Sequence, residues 1–88
     1  MNLYEVLSKV KTPEDFELLF EDLCTFSEVD NLKQRVEAAQ LLLKGETYNQ
    51  VISKTGISSA TLSRVSRCIQ HGSGGYSKVL KEITEENK

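Results

Sequence analysis

The stretch TYNQVISKTGISSATLSRVSR, residues 47–67, decides how the rest of the chain is read. Thr47 to Thr55 has the pattern of a short helix with Val51 and Ile52 turned inward. Gly56 breaks it, and Ser58 is placed to cap a second helix in which Leu62, Val65 and Ile69 fall on one side. Two short helices joined through a tight glycine-containing turn have the form of a helix-turn-helix. Glycine is the residue that reaches a left-handed backbone at such a turn without steric cost. Ile57 is placed to plug the gap between the two helices, and Leu62 and Val65 to pack the second onto the first. Periodicity alone is also met by an ordinary αα-hairpin with a serine cap.

Composition separates the two readings. Ser58, Ser59, Ala60, Thr61, Ser63, Arg64 and Arg67 are left on the outward side of the second helix, and from Thr47 to Lys81 the chain contains no aspartate or glutamate. The same window holds Lys54, Arg64, Arg67, Lys78 and Lys81. A helix that enters the major groove brings its N-terminal turn close to the base edges, and small side chains permit that approach. Their hydroxyls can donate to phosphate oxygens, and the free amides of a helix start favour an anion. A carboxylate there would face a polymer with one negative charge per ~1.7 Å of duplex axis. Gln50 and Lys54, with Asn49, lie on the first helix, where contact to one backbone strand is expected; Tyr48 is read equally as contact or as packing.

Working outward, the chain is helical throughout. Leu3, Val6, Leu7 and Val10 share one face, as do Phe16, Leu19, Phe20 and Leu23. TPED at 12–15 is a helix start, with Thr12 as cap, Pro13 in the first position and Asp15 near the exposed amides. TFSE at 25–28 has capping-box spacing. Behind it Val29, Leu32, Val36, Ala39 and Leu43 form a seam at steps of three and four, and Leu41 and Leu42 make the end of this helix apolar on more than one side. In so short a chain that surplus points to a core shared between subunits. Gly45 is a natural helix terminator. Glycines at 72, 74 and 75 end the second short helix, and Tyr76, Val79, Leu80 and Ile83 predict a last amphipathic turn and helix before a charged tail. No segment alternates as a strand would.

Charge is polarised along the chain. Residues 1–34 carry three lysines and eight acids, whereas residues 35–88 carry eight basic and five acidic residues, within an overall charge of −2. The second half is therefore the part expected to face a polyanion. No apolar run is long enough to span a bilayer and no secretory signal is visible, so no membrane association and a cytoplasmic location are expected. Cys24 and Cys68 form no CxxC pair and read as small apolar residues; with His71 as the single histidine, no metal, cofactor or catalytic constellation is expected, and the chain is not read as an enzyme.

The segment LLLKGETYNQVISKTGISSATLSRVSRCIQHGSGGY, preceded by QRVEAAQ, resembles the Trp repressor superfamily, and more closely its YerC/YecD branch. The resemblance covers nearly the whole chain and rests on LLKGE, on Thr61–Arg64 and on Gly72–Tyr76. It implies an all-α, intertwined helical homodimer with one helix-turn-helix reading head per subunit, which binds a pseudo-palindromic operator on double-stranded DNA. Residues 1–45 would dimerise, 46–70 would form the reading head and 71–88 a C-terminal helix and tail. In the family's tryptophan-responsive member, two arginines hold the corepressor; Arg35 and Arg64 match them. The residue after the second arginine is glycine there and Val65 here, and the turn is one residue shorter. The resemblance therefore implies the charged frame of a vestigial ligand pocket with its floor filled, and L-tryptophan is not expected as effector. The expected function is a sequence-specific transcriptional regulator, a repressor by analogy. The competing expectation is a dimeric module that docks on protein through its basic face.

Overall fold

The computed structural model describes residues 1–80, and all of the regular structure within them is helical: α1 Leu3–Lys9, α2 Pro13–Leu23, α3 Phe26–Leu43, α4 Tyr48–Thr55, α5 Ser59–His71 and one π-helical turn, Tyr76–Leu80. Ile83 and the acidic tail lie outside the described residues. The chain divides into two compact units, Met1–Asn31 and Leu32–Lys88.

In the first unit each helix start is fixed by local chemistry. Asn2 and Glu5 form a reciprocal capping box ahead of α1, and Thr12 Oγ1 accepts from the Asp15 amide at 3.1 Å, with Pro13 in the first turn of α2. Thr25 and Glu28 form the expected box at the head of α3: the Thr25 amide donates to Glu28 Oε1 at 2.8 Å, and the Glu28 amide donates to Thr25 Oγ1 at 3.1 Å. Hydrogen bonding from Thr25, its backbone amide first and its hydroxyl second, holds the Glu28 carboxyl below the ordinary glutamate range. Phe16 and Phe20, one turn apart on α2, stack with ring centroids 6.2 Å apart. Yet no residue of Met1–Asn31 is buried. Phe26 is 89% exposed and Tyr4 77%, and Leu3, Val6, Leu18 and Leu23 are exposed as well.

The second unit has a core of Ala38, Ala39, Val51, Ile57, Leu62, Val65 and Leu80, with Leu41, Leu42, Leu43, Ile52, Ile69 and Tyr76 packed against it. On α3 the fully buried positions are the two alanines, while Leu32 and Val36 of the anticipated seam remain exposed. The leucines that follow, Leu41, Leu42 and Leu43, pack against the same core. α3 ends in a Schellman motif: Gly45 has φ +93°, its amide donates to Leu42 O at 3.0 Å, and the Glu46 amide donates to Leu41 O at 3.1 Å. After α5 stops at Gly72, Gly74 takes φ +90° and the π-helical turn brings Leu80 into the core. Ser77 Oγ donates to Ile69 O at 3.4 Å and so ties that turn to α5.

Candidate nucleic-acid interface

α4, the connection Gly56–Ser58 and α5 are held as one piece. α4 begins with a second capping box, in which the Thr47 amide donates to Gln50 Oε1 at 2.8 Å and the Gln50 amide to Thr47 Oγ1 at 3.2 Å. It ends at Gly56, in the left-handed region at φ +73°, ψ +10°, whose amide donates to Ile52 O at 2.9 Å. Thr55 Oγ1 donates to Val51 O at 2.8 Å and accepts from the Ile57 amide at 3.1 Å. Gln34 Nε2 on α3 donates to Thr55 O at 3.2 Å, satisfying a carbonyl left open by the helix end. Ile57 is 1% exposed and fills the space between the helices together with Val51, Leu62 and Val65.

The head of α5 is pinned by its cap. The Thr61 amide donates to Ser58 Oγ at 3.2 Å, and the Ser58 hydroxyl donates to Thr61 Oγ1 at 2.9 Å. The amides of Ser59 and Ala60, in the first turn, have no intrahelical carbonyl to bond. With Leu62 and Val65 wholly buried, Ser59, Ala60, Ser63, Arg64 and Arg67 all stand on the exposed side. Ala60, Arg64 and Arg67 follow at helical steps of four and three, so the two guanidinium groups continue the stripe that starts at the helix N-terminus. Neither first turn, of α4 or α5, contains an acid, and neither arginine is paired with a carboxylate among the described residues.

Each residue singled out from the sequence can now be located. Ser58, Ser59, Ala60, Ser63, Arg64 and Arg67 are exposed, and Thr61 is half-buried and occupied at the cap. Gln50 is exposed, but its carbonyl oxygen serves the Thr47 cap, which leaves its amide nitrogen as the outward donor. Lys54 is exposed, and its ammonium forms an ion pair with Glu46. The two arginines of the anticipated ligand frame differ: Arg64 is exposed, whereas Arg35 is half-buried with its Nε out of solvent and without a hydrogen-bond partner among the described residues. Val65 is 1% exposed and belongs to the core. A separate open cavity of about 560 Å³, lined by Cys68, the segment Gly72–Tyr76 and Val79, lies at the opposite end of α5. No helix among the described residues is long and apolar enough to cross a membrane.

Two contributors were missed from the sequence. The Thr47-x-x-Gln50 spacing that orients α4 was there to be read. Gln34 carried no local signal, because its partner is 21 residues away.

A comparison with known proteins fits this geometry. The family model for the Trp repressor protein matches residues 1–84. The uncharacterized protein YerC of Bacillus subtilis is 39% identical over 83 residues, covering 94% of this chain and 80% of that protein. A Trp operon repressor homolog of Chlamydia caviae is 30% identical over 83 residues, covering 93% of this chain and 82% of that protein. The crystal structure of a TrpR-like protein from Eubacterium eligens superposes with a TM-score of 0.86 at 37% identity, covering 92% of this chain and 84% of that one. A family match along nearly the whole length, together with relatives and a fold of the same kind, shows that the chain belongs to the Trp repressor family.

Proposed function

We propose that the protein is a DNA-binding transcription regulator that acts as a homodimer, with α4 and α5 as its helix-turn-helix and α5 as the helix that reads the major groove. The observation that carries the reading is the outer face of α5: small hydroxyl side chains and open amides at the N-terminus, two arginines along the same stripe that pair with no carboxylate among the described residues, and no carboxylate from Thr47 to Lys81. Arg64 and Arg67 would contact base edges or phosphates, Ser59, Ala60 and Ser63 would allow the close approach, and Gln50 and Lys54 on α4 would contact one backbone strand. The exposed apolar residues of Met1–Asn31, with no buried residue among them, support a second copy of the chain as the cover for this unit. The two-fold symmetry of such a dimer matches a pseudo-palindromic site with half-sites about one helical turn apart or a multiple of it. In the dimer, Val65 leaves no slot for an indole beside Arg64, so L-tryptophan does not act as corepressor.

Duplex binding measured across a salt series tests the reading. The expected result is an affinity that falls steeply with salt and a slope that becomes shallower by about one for each phosphate-contacting cation removed per subunit. A flat salt dependence, together with binding to an acidic protein surface, would favour the protein-docking alternative.

A further inference from the structure

Among the described residues, a single salt bridge is formed, Lys54 Nζ to Glu46 Oε1, and it joins the α4 lysine to the last acid before the carboxylate-free window. Lys54 is 57% exposed in its side chain, and Glu46 only 18%. The two side chains reach towards each other from opposite ends of α4, Lys54 near its C-terminus and Glu46 just ahead of its Thr47 cap. Glu46 is held in place by the chain reversal after α3, where its amide donates to Leu41 O and Gly45 adopts its left-handed conformation.

A pair this exposed contributes little to folding. Its consequence is electrostatic. A lysine that approaches a phosphate alone adds the release of a condensed counterion to the binding free energy, and that gain is the same for every sequence. A lysine already neutralised within the protein adds much less of it. Its ammonium still has three donors, and Glu46 takes one, so hydrogen bonding to a correctly placed phosphate is retained.

We propose that Glu46 is a specificity-determining residue: an internal counterion to Lys54 that holds down sequence-independent attraction to DNA while leaving the lysine free to bond a phosphate in register. The inference rests on the DNA-binding reading above and adds to it the discrimination between operator and bulk DNA.

The test is a charge cycle of wild type, Glu46→Gln, Lys54→Gln and the double variant, titrated with mixed-sequence duplex DNA at several salt concentrations. Glu46→Gln keeps the shape and an acceptor for Lys54, and its melting temperature should stay within a few degrees of wild type. It should bind mixed-sequence DNA more tightly, by up to about tenfold per subunit near 0.1 M salt, with a slope steeper by up to about one per subunit, or about two for the dimer. In the Lys54→Gln background the same Glu46 substitution should steepen the slope far less, because the lysine that it frees is gone. An unchanged slope and affinity in Glu46→Gln, beside a steep wild-type slope, would overturn this inference alone. An equal effect with and without Lys54 would overturn it as well, since the carboxylate would then act on the whole surface and not through the pair. A wild type with no salt-dependent duplex binding would overturn the DNA reading and this inference together.

Discussion

Replacing Ile57 with alanine should destabilise the α4–α5 unit more than any change on its surface. Ile57 lies in the three-residue connection between α4 and α5, is 1% exposed, and packs in the same core as Val51, Leu62 and Val65. The substitution removes three carbon groups from a site out of contact with water. At ~0.8 kcal/mol for each buried carbon group, the transfer term is about 2.4 kcal/mol. The flanking helices are fixed by a left-handed glycine on one side and a serine cap on the other, so the space can close only in part. A residual cavity of about 40–60 Å³ adds ~1–1.5 kcal/mol at 24 cal/mol per Å³. The expected loss is therefore about 3–4 kcal/mol, a large part of the stability of a small domain. The melting temperature should fall by at least roughly 10 °C. Ile57→Val should lose only ~1 kcal/mol. Thermal and urea melts followed by circular dichroism, at one fixed protein concentration, would measure both. An Ile57→Ala protein within about 0.5 kcal/mol of wild type would refute the assignment of Ile57 to the core.

The remaining predictions concern other parts of the chain. Gly56→Ala should cost about 1–2 kcal/mol through backbone strain alone, since an added Cβ meets nothing within 4 Å; Gly72→Ala should disturb the end of α5, where the added Cβ would lie 2.4 Å from Cys68 O, and melts of the two variants would separate strain from collision. Glu28 has its carboxyl held below 4.5, so its contribution to stability is present above that value and is lost as pH falls through the lower folded value. The stability difference between wild type and Glu28→Gln should be constant near neutral pH and shrink in acid; a difference that grew in acid would contradict the capping assignment. Arg64→Ala and Arg67→Ala should leave the melt unchanged and weaken duplex binding by about 1–3 kcal/mol where the arginine makes a bidentate base contact. Calorimetric titration with L-tryptophan, with and without duplex, should give no saturable binding at tens of micromolar, because filling space already held by Val65 costs about 1–3 kcal/mol.

Much of this was legible in the residues because it is local. The TPED and TFSE starts, the glycine ends at Gly45, Gly56 and Gly72, and the inward set Val51, Ile57, Leu62 and Val65 each follow from spacing and from the steric demands of a helix end. The outward stripe of α5 was readable for the same reason: once Leu62 and Val65 are inside, Arg64 and Arg67 have to be outside. Interactions that close over a distance were not. The Lys54–Glu46 pair spans eight positions, which no i,i+4 rule anticipates, and Gln34 reaches the end of α4 from another helix. Of the α3 seam read from the sequence, Ala39 is buried within the subunit together with Ala38, which lay outside that seam, whereas Leu32 and Val36 are exposed in the single chain. The turn after Gly74 was foreseen as amphipathic, but its π-helical form and the tie from Ser77 to α5 were not.

On the proposed function, the exposed, carboxylate-free face of α5 reads DNA as part of a two-fold dimer. Selection of bound duplexes from a random pool by the wild-type protein tests it most directly. The expected result is enrichment of a pseudo-palindrome with half-sites about one helical turn apart or a multiple of it, and loss of that enrichment in Arg64→Ala. A pool that emerges without a preferred sequence, or an enriched site that Arg64→Ala and Arg67→Ala bind as well as wild type does, would contradict it.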